Sequence, residues 1–170
     1  KNNCYQERLL INEDYRLSQN ANLDRFLSPI NESNNFIFNK FFRKISKNKE
    51  KKVKILEIKG RKFHIENFYE GAVKFKFDEL CDRNLGSEDY INLVNNCNFI
   101  FIENLPKFDE NNSNQQYRFI TLIDIIYEKK IPLMVTSQLA LNLFKSSKKL
   151  SEPFKRTISR LYELTSMAYK

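Results

Sequence analysis

Arg156 and Arg160 stand one helical turn apart near the end of the chain, with Glu163 nearly one turn further on. On a helix this spacing stacks two guanidinium forks on one side and brings a carboxylate beside them. Paired guanidinium groups suit anionic oxygens, phosphate above all, because their planar N–H forks make charge-assisted, often bidentate hydrogen bonds. A purely local reading competes with that one. Arg156 with Glu152 at i,i+4, and Arg160 with Glu163 at i,i+3, would be ordinary surface ion pairs. Glu103 is the next position of interest. It closes the apolar run Phe99-Ile100-Phe101-Ile102, at the carboxyl edge of a strand where α/β proteins place ligands, and a carboxylate there suits Mg²⁺. Arg118 and Asp124 fall on one helix, where a surface or interface salt bridge is the favoured reading.

Other chemistries find little support. His64 is the single histidine and lies on the polar face of an expected strand. No nucleophile or second ligand accompanies it, so neither a catalytic triad nor a metal site is indicated. Gly60, Gly71 and Gly86 each fall in a turn, and none belongs to a phosphate-cradling loop. Cys4, Cys81 and Cys97 are scattered without a CxxC, as reduced thiols are.

The elements that must position these residues follow from periodicity. In the segment from Ser151 to Lys170, Phe154, Ile158, Leu161, Leu164 and Ala168 recur at steps of three and four, predicting a terminal helix with Ser151 as N-cap and Pro153 in its first turn. Gln115 to Lys130 predicts another helix, with Phe119, Leu122, Ile123 and Ile126 on its core face. It lies between two apolar strands, Asn98 to Leu105 and Ile131 to Thr136, so the three make a βαβ unit with parallel strands. Ser87 to Asn96 predicts a helix with Ser87 as N-cap, and Leu139 to Phe144 a short one. Upstream, strict alternation over 53–77 predicts three antiparallel strands, turned at Gly60-Arg61 and at Gly71. Phe36 to Ile45 reads as a short helix with Ile37, Phe38, Phe41 and Phe42 inward. The expected organisation is a lead-in with a Lys-rich linker over 1–52 and an α/β region over 53–170.

Lys and Arg outnumber Asp and Glu by 29 to 21 in 170 residues, a net charge of +8 that favours acidic partners. Much of the excess lies between Lys40 and Lys54, in Lys44, Lys47, Lys49, Lys51 and Lys52, and a solvated loop is the favoured reading of that run. A non-enzymatic basic module for nucleic acid or a protein partner is the alternative. It lacks the aromatic-and-basic ladder that single-strand binding uses, so nucleic acid is not the expected partner. No apolar run reaches membrane-spanning length. The chain opens on Lys1 rather than Met and is expected to be part of a longer protein.

Several blocks, in order, resemble those of the ZapE-like (AFG-like) ATPase family. Phe154-Lys155-Arg156-Thr157-Ile158-Ser159-Arg160-Leu161, with Glu163 and Ser166, resembles the family's closing F-x-RT-x-SRL-x-E-x-x-S segment. Arg118-Phe119-Ile120-Thr121-Leu122-Ile123-Asp124, with Tyr127 and Glu128, resembles its RRFI-x-LID-x-x-Y block. Phe75, Phe77, Leu80-Cys81, Leu85-Gly86 and Asp89-Tyr90 resemble an F-x-F-x-x-LC and LG-x-x-DY block. Asp14-Tyr15-Arg16, Ser28-Pro29 and Gly60-Arg61 fall in order with further segments. Tyr117 replaces the first arginine of the second block, and Leu164 replaces the usual Met after the closing Glu.

The resemblance implies the carboxyl-terminal part of a P-loop ATPase of the AAA+ kind. It places Walker A and Walker B upstream of the DYR block, so these residues alone should not hydrolyse ATP. It implies ATP and Mg²⁺ as cofactors of the whole protein. Arg156 and Arg160 then become candidates for an arginine finger or sensor, acting in cis or from a neighbouring subunit. Arg118 and Glu103 become nucleotide- and magnesium-side candidates, Glu103 by likeness to the acidic strand end of P-loop ATPases. For a bacterial member the resemblance implies a cytoplasmic protein associated with the division ring through FtsZ. A mitochondrial branch is tied to protein quality control, and homo-oligomers are compatible with either.

Overall fold

The computed structural model describes residues 24–169. Cys4 and the Asp14-Tyr15-Arg16 segment lie outside them. The described chain runs β1 (Phe26–Leu27), α1 (Glu32–Ser46), β2 (Lys52–Ile58), β3 (Arg61–Tyr69), β4 (Ala72–Lys76), α2 (Phe77–Cys81), α3 (Ser87–Asn95), β5 (Phe99–Leu105), α4 (Ser113–Glu128), β6 (Leu133–Ser137) and α5 (Ser151–Ser166).

Alternation builds the first half. In β3, Phe63 and Ile65 are buried while Lys62, His64 and Glu66 are exposed, which gives the hairpin one wet face. Lys59-Gly60 turns β2 into β3 and Glu70-Gly71 turns β3 into β4. All four residues have positive φ, the handedness that suits tight hairpins. Gly71 is required there, since a Cβ at φ +96° would sit 2.7 Å from Asn98 Nδ2.

β4 is where the two halves meet. It pairs antiparallel with β3 (Phe68 opposite Val73) and parallel with β5 (Val73 opposite Ile100). The expected meander and the expected βαβ unit are therefore one sheet, ordered β1-β6-β5-β4-β3-β2. β5 and β6 are parallel and joined through α4, as expected of the βαβ unit. Phe77, expected to end the third strand, instead opens α2.

The residues of β5 point alternately into two cores. Ile100 and Ile102 join Val73, Phe75, Leu133 and Val135 beneath the helices α2 to α5. Phe99 and Phe101 face the other way, against Phe38, Phe41 and Phe42 of α1. Phe101 meets Phe38 and Phe42 edge-on at 5.5 and 5.0 Å between ring centroids, a geometry that contributes about 1 kcal/mol per pair beyond area burial. The sheet is thus covered on both sides, which is why β5 reads as an unbroken apolar run.

Several local expectations change. α1 begins at Glu32, because Asn31 Oδ1 caps it by accepting from Asn34 N–H at 2.8 Å. The described part of the expected lead-in supplies β1, an edge strand beside β6, and the helix on the far face. Ser87 and Ser151 are first helical residues rather than N-caps. At α3 the cap is Gly86, whose N–H donates to Asp89 Oδ2 at 2.7 Å. The short helix expected over 139–144 is a single 3₁₀ turn, Leu141–Leu143. Ala168 lies beyond the end of α5 and is exposed.

Candidate functional site

α4 and α5 lie side by side and run in the same direction. Gln116 meets Ser146 and Ser147, Asp124 meets Arg156 and Arg160, and Tyr127 meets Glu163, so partners advance together along both helices. α5 is pinned by Phe154, Thr157, Leu161 and Leu164, all buried, with Ile158 packed partly against the same core. That burial turns the arginine side of the helix toward α4 and solvent.

There the two arginines share one carboxylate. Arg156 Nη2 donates to Asp124 Oδ2 at 3.1 Å, and Arg160 Nη1 donates to Asp124 Oδ1. Arg160 also lies over the Tyr127 ring, 4.7 Å from its centroid, a cation–π contact. Tyr127 donates its hydroxyl to Glu163 Oε2 at 2.8 Å. That hydrogen bond holds the phenol above its ordinary pKa, since the proton is shared with a carboxylate. The local pairings expected along α5 do not form: Glu152 takes Lys155 at 2.7 Å, and Glu163 takes Tyr127.

The two arginines differ in freedom. Arg160 is 21% exposed and held from two sides, whereas Arg156 is 56% exposed and makes one hydrogen bond. A guanidinium has five N–H donors, so most of those on Arg156 face water. The two guanidinium groups share Asp124, and Glu163 stands beside them through Tyr127, so the cluster is charge-balanced while Arg156 keeps open donors. Ser159 and Glu163 of the same helix border a groove of about 740 Å³ that extends to Phe26 and Leu141.

Arg118 and Glu103 are elsewhere. Arg118 Nη1 donates to Cys81 O at 3.1 Å, satisfying the end of α2. Glu103 lies 3.9 Å from Lys74 Nζ, and Lys74 sits over the Phe42 ring on the α1 side of the sheet. The arginine pair is on the opposite side. His64 is exposed, as expected. Cys81 and Cys97 are free and buried, and burial pushes the Cys97 thiol up to about 12. Among the described residues no group of three or more His, Cys, Asp or Glu is placed to hold a metal, and no helix is long and apolar enough to cross a membrane.

Other blocks singled out in the sequence meet in a structural network. Arg61 Nη2 reaches both Asp89 oxygens, at 3.1 and 3.0 Å, and Tyr90 donates its hydroxyl to Leu80 O at 2.7 Å. These side chains brace α2 and α3 against the β2–β3 turn.

Sequence reasoning missed Arg25, which is fully buried. Its Nε donates to Leu133 O at 3.1 Å, and its Nη2 to Leu164 O at 2.9 Å and Met167 O at 2.7 Å. Its guanidinium carbon lies 5.5 Å from the Phe99 ring centroid and 5.3 Å from that of Tyr169. Burial lowers its pKa, because the charged form has lost water. Its acceptors are main-chain carbonyls far along the chain, so no sequence spacing announces them.

A family model described as AFG1-like ATPase matches residues 9–170. The cell division protein ZapE of Escherichia coli is 26% identical over 156 residues, covering 92% of this chain and 42% of that protein. Lactation elevated protein 1 homolog B of Danio rerio is 27% identical over 89 residues, covering 52% of this chain and 18% of that protein. The chain thus spans less than half the length of these relatives. No solved structure matches it.

Proposed function

We propose, from the premise that this chain belongs to the AFG1-like ATPase family, that it is the carboxyl-terminal part of a P-loop ATPase of the AAA+ kind and supplies basic side chains to the ATP phosphates. The arginine pair on Asp124 is the observation that carries this reading. The 170 residues contain no G-x-x-x-x-G-K-[ST] run, so the loop that cradles the nucleotide belongs to a preceding segment of the whole protein.

The described residues fit the phosphate side of such a site better than the metal side. Two guanidinium groups on one open face match phosphoryl oxygens, while Glu103 is engaged by Lys74. ATP with Mg²⁺ supplies the scissile γ-phosphoryl group. Arg156, with its donors open to water, is the group that meets phosphate. Arg160, fixed between Asp124 and Tyr127, positions it and adds charge. An arginine aimed at charge developing on the γ-phosphoryl oxygens accelerates transfer by roughly 10³–10⁵. The contact is made within one subunit or across to a neighbour in a homo-oligomer.

By analogy with the cell division protein ZapE, the whole protein couples hydrolysis to bacterial cell division in the cytoplasm, at the division ring and through FtsZ. ATP hydrolysis by the whole protein, with Arg156→Ala and Arg160→Ala tested singly, checks the assignment. Rates unchanged in both folded variants would remove the pair from the site.

A further inference from the structure

The arginine pair is the open end of a longer ladder. Asp124 and Tyr127 lie nearly one turn apart on α4, and Arg156, Arg160 and Glu163 follow one another along the facing side of α5. Contacts cross between the helices at every step. Arg156 and Arg160 meet Asp124, Arg160 lies 4.7 Å from the Tyr127 ring centroid, and the Tyr127 hydroxyl donates to Glu163 Oε2 at 2.8 Å. One end is open, since Arg156 is more than half exposed. The other is anchored, since the Tyr127 ring packs against the core and its hydroxyl ends on Glu163.

Glu163 is the unexpected member. A carboxylate three residues beyond an arginine on an exposed helix face is placed to pair with it. Glu163 instead accepts from Tyr127 on the neighbouring helix and leaves Arg160 to Asp124. That choice matters for Arg156. A carboxylate can hold a guanidinium through both oxygens, but Asp124 gives Arg156 only Oδ2, because Arg160 occupies Oδ1. While Arg160 stays in place, Arg156 remains half-paired and keeps donors free. The Tyr127–Glu163 bond is not what joins the helices. Phe119, Leu122 and Ile126 of α4 share a core with Leu161 and Leu164 of α5, and Ser147 N–H donates to Gln116 Oε1 at 3.1 Å before α5 begins. One exposed hydrogen bond adds little to such packing.

We propose that Tyr127 and Glu163 are positioning residues for the arginine pair. Glu163 holds the phenol, the ring face holds Arg160 by cation–π attraction, and Arg160 keeps one oxygen of Asp124 away from Arg156. Loss of the ring frees Arg160, lets Asp124 close on Arg156 through both oxygens, and withdraws the donors that an oxyanion needs. The consequence for ATP hydrolysis rests on the reading that the pair meets the ATP phosphates, whereas the consequence for Arg160 itself does not.

The test uses the whole protein with isotope-labelled arginine. Exchange of the Arg160 Nε–H with water is read by NMR, alongside melting temperature and steady-state ATP hydrolysis. Tyr127→Leu should speed that exchange roughly fivefold, the worth of a partly buried cation–π contact, and lower kcat by a similar factor. Tyr127→Phe keeps the ring and loses only its anchor. It and Glu163→Gln should each speed the exchange about twofold, with melting temperatures unchanged. The double variant should be no worse than either single one, because both act on one hydrogen bond. Should Tyr127→Leu not fold, the matched effects of Tyr127→Phe and Glu163→Gln on Arg160 carry the test alone. Faster Arg160 exchange with an undiminished hydrolysis rate upholds the positioning and removes the pair from the phosphates. Wild-type Arg160 exchange in all the variants, or effects that add in the double variant, overturns the proposal.

Discussion

Arg25 and the Arg156–Arg160 pair both engage α5, in opposite ways. Arg25 is buried, and its acceptors are the carbonyls of Leu133, Leu164 and Met167. Main-chain carbonyls cannot leave without unfolding the elements that carry them, so Arg25 is a fixed brace joining β1, β6 and the last turn of α5. Arg156 and Arg160 end on a single, partly exposed side-chain carboxylate. A phosphate can displace that partner without disturbing the fold. An arginine on buried carbonyls thus reads as architecture, and an arginine on a shared, wet carboxylate as an exchangeable contact.

The contrast is sharpest in stability. Arg25→Ala should destabilise by about 3 kcal/mol or more in urea unfolding, because it leaves several buried carbonyls unpaired and opens a cavity. Arg156→Ala should cost under about 1 kcal/mol, as an exposed ion pair does. Equal losses in the two variants would break the distinction.

Asp124→Asn comes next. Both arginines lose their anionic partner while the helix packing remains, so unfolding should shift by about 1 kcal/mol or less. In the whole protein the Asp124→Asn ATPase rate should fall less than in Arg156→Ala, since the guanidinium survives and only its positioning is lost. A smaller effect concerns Tyr127. Glu163→Gln should lower the phenol's apparent pKa toward its ordinary value, read by ultraviolet titration, because the carboxylate that raised it is gone. The Arg25 environment should show no counterpart in that variant.

Much of the scaffold around the pair was legible in the sequence. β5 was readable because both of its faces are buried, and α4 and α5 because their apolar residues keep helical spacing. The arginine side of α5 was legible for the same reason. Its partner was not: Asp124 approaches from another helix, and spacing along one helix speaks only for neighbours on it. β1, at two residues, is too short to leave a periodic signal. The joining of the hairpin to the parallel strands rests on β4, whose alternation fixes its wet face but not its second neighbour. Arg25 was hidden because its partners are backbone atoms, which every residue possesses.

The most direct measurement is steady-state ATP hydrolysis by the whole protein carrying Arg156→Ala, alongside its melting temperature. A fall of about a hundredfold or more with an unchanged melting temperature is the predicted result. A wild-type rate in a correctly folded variant would contradict the assignment of this helix face to the nucleotide.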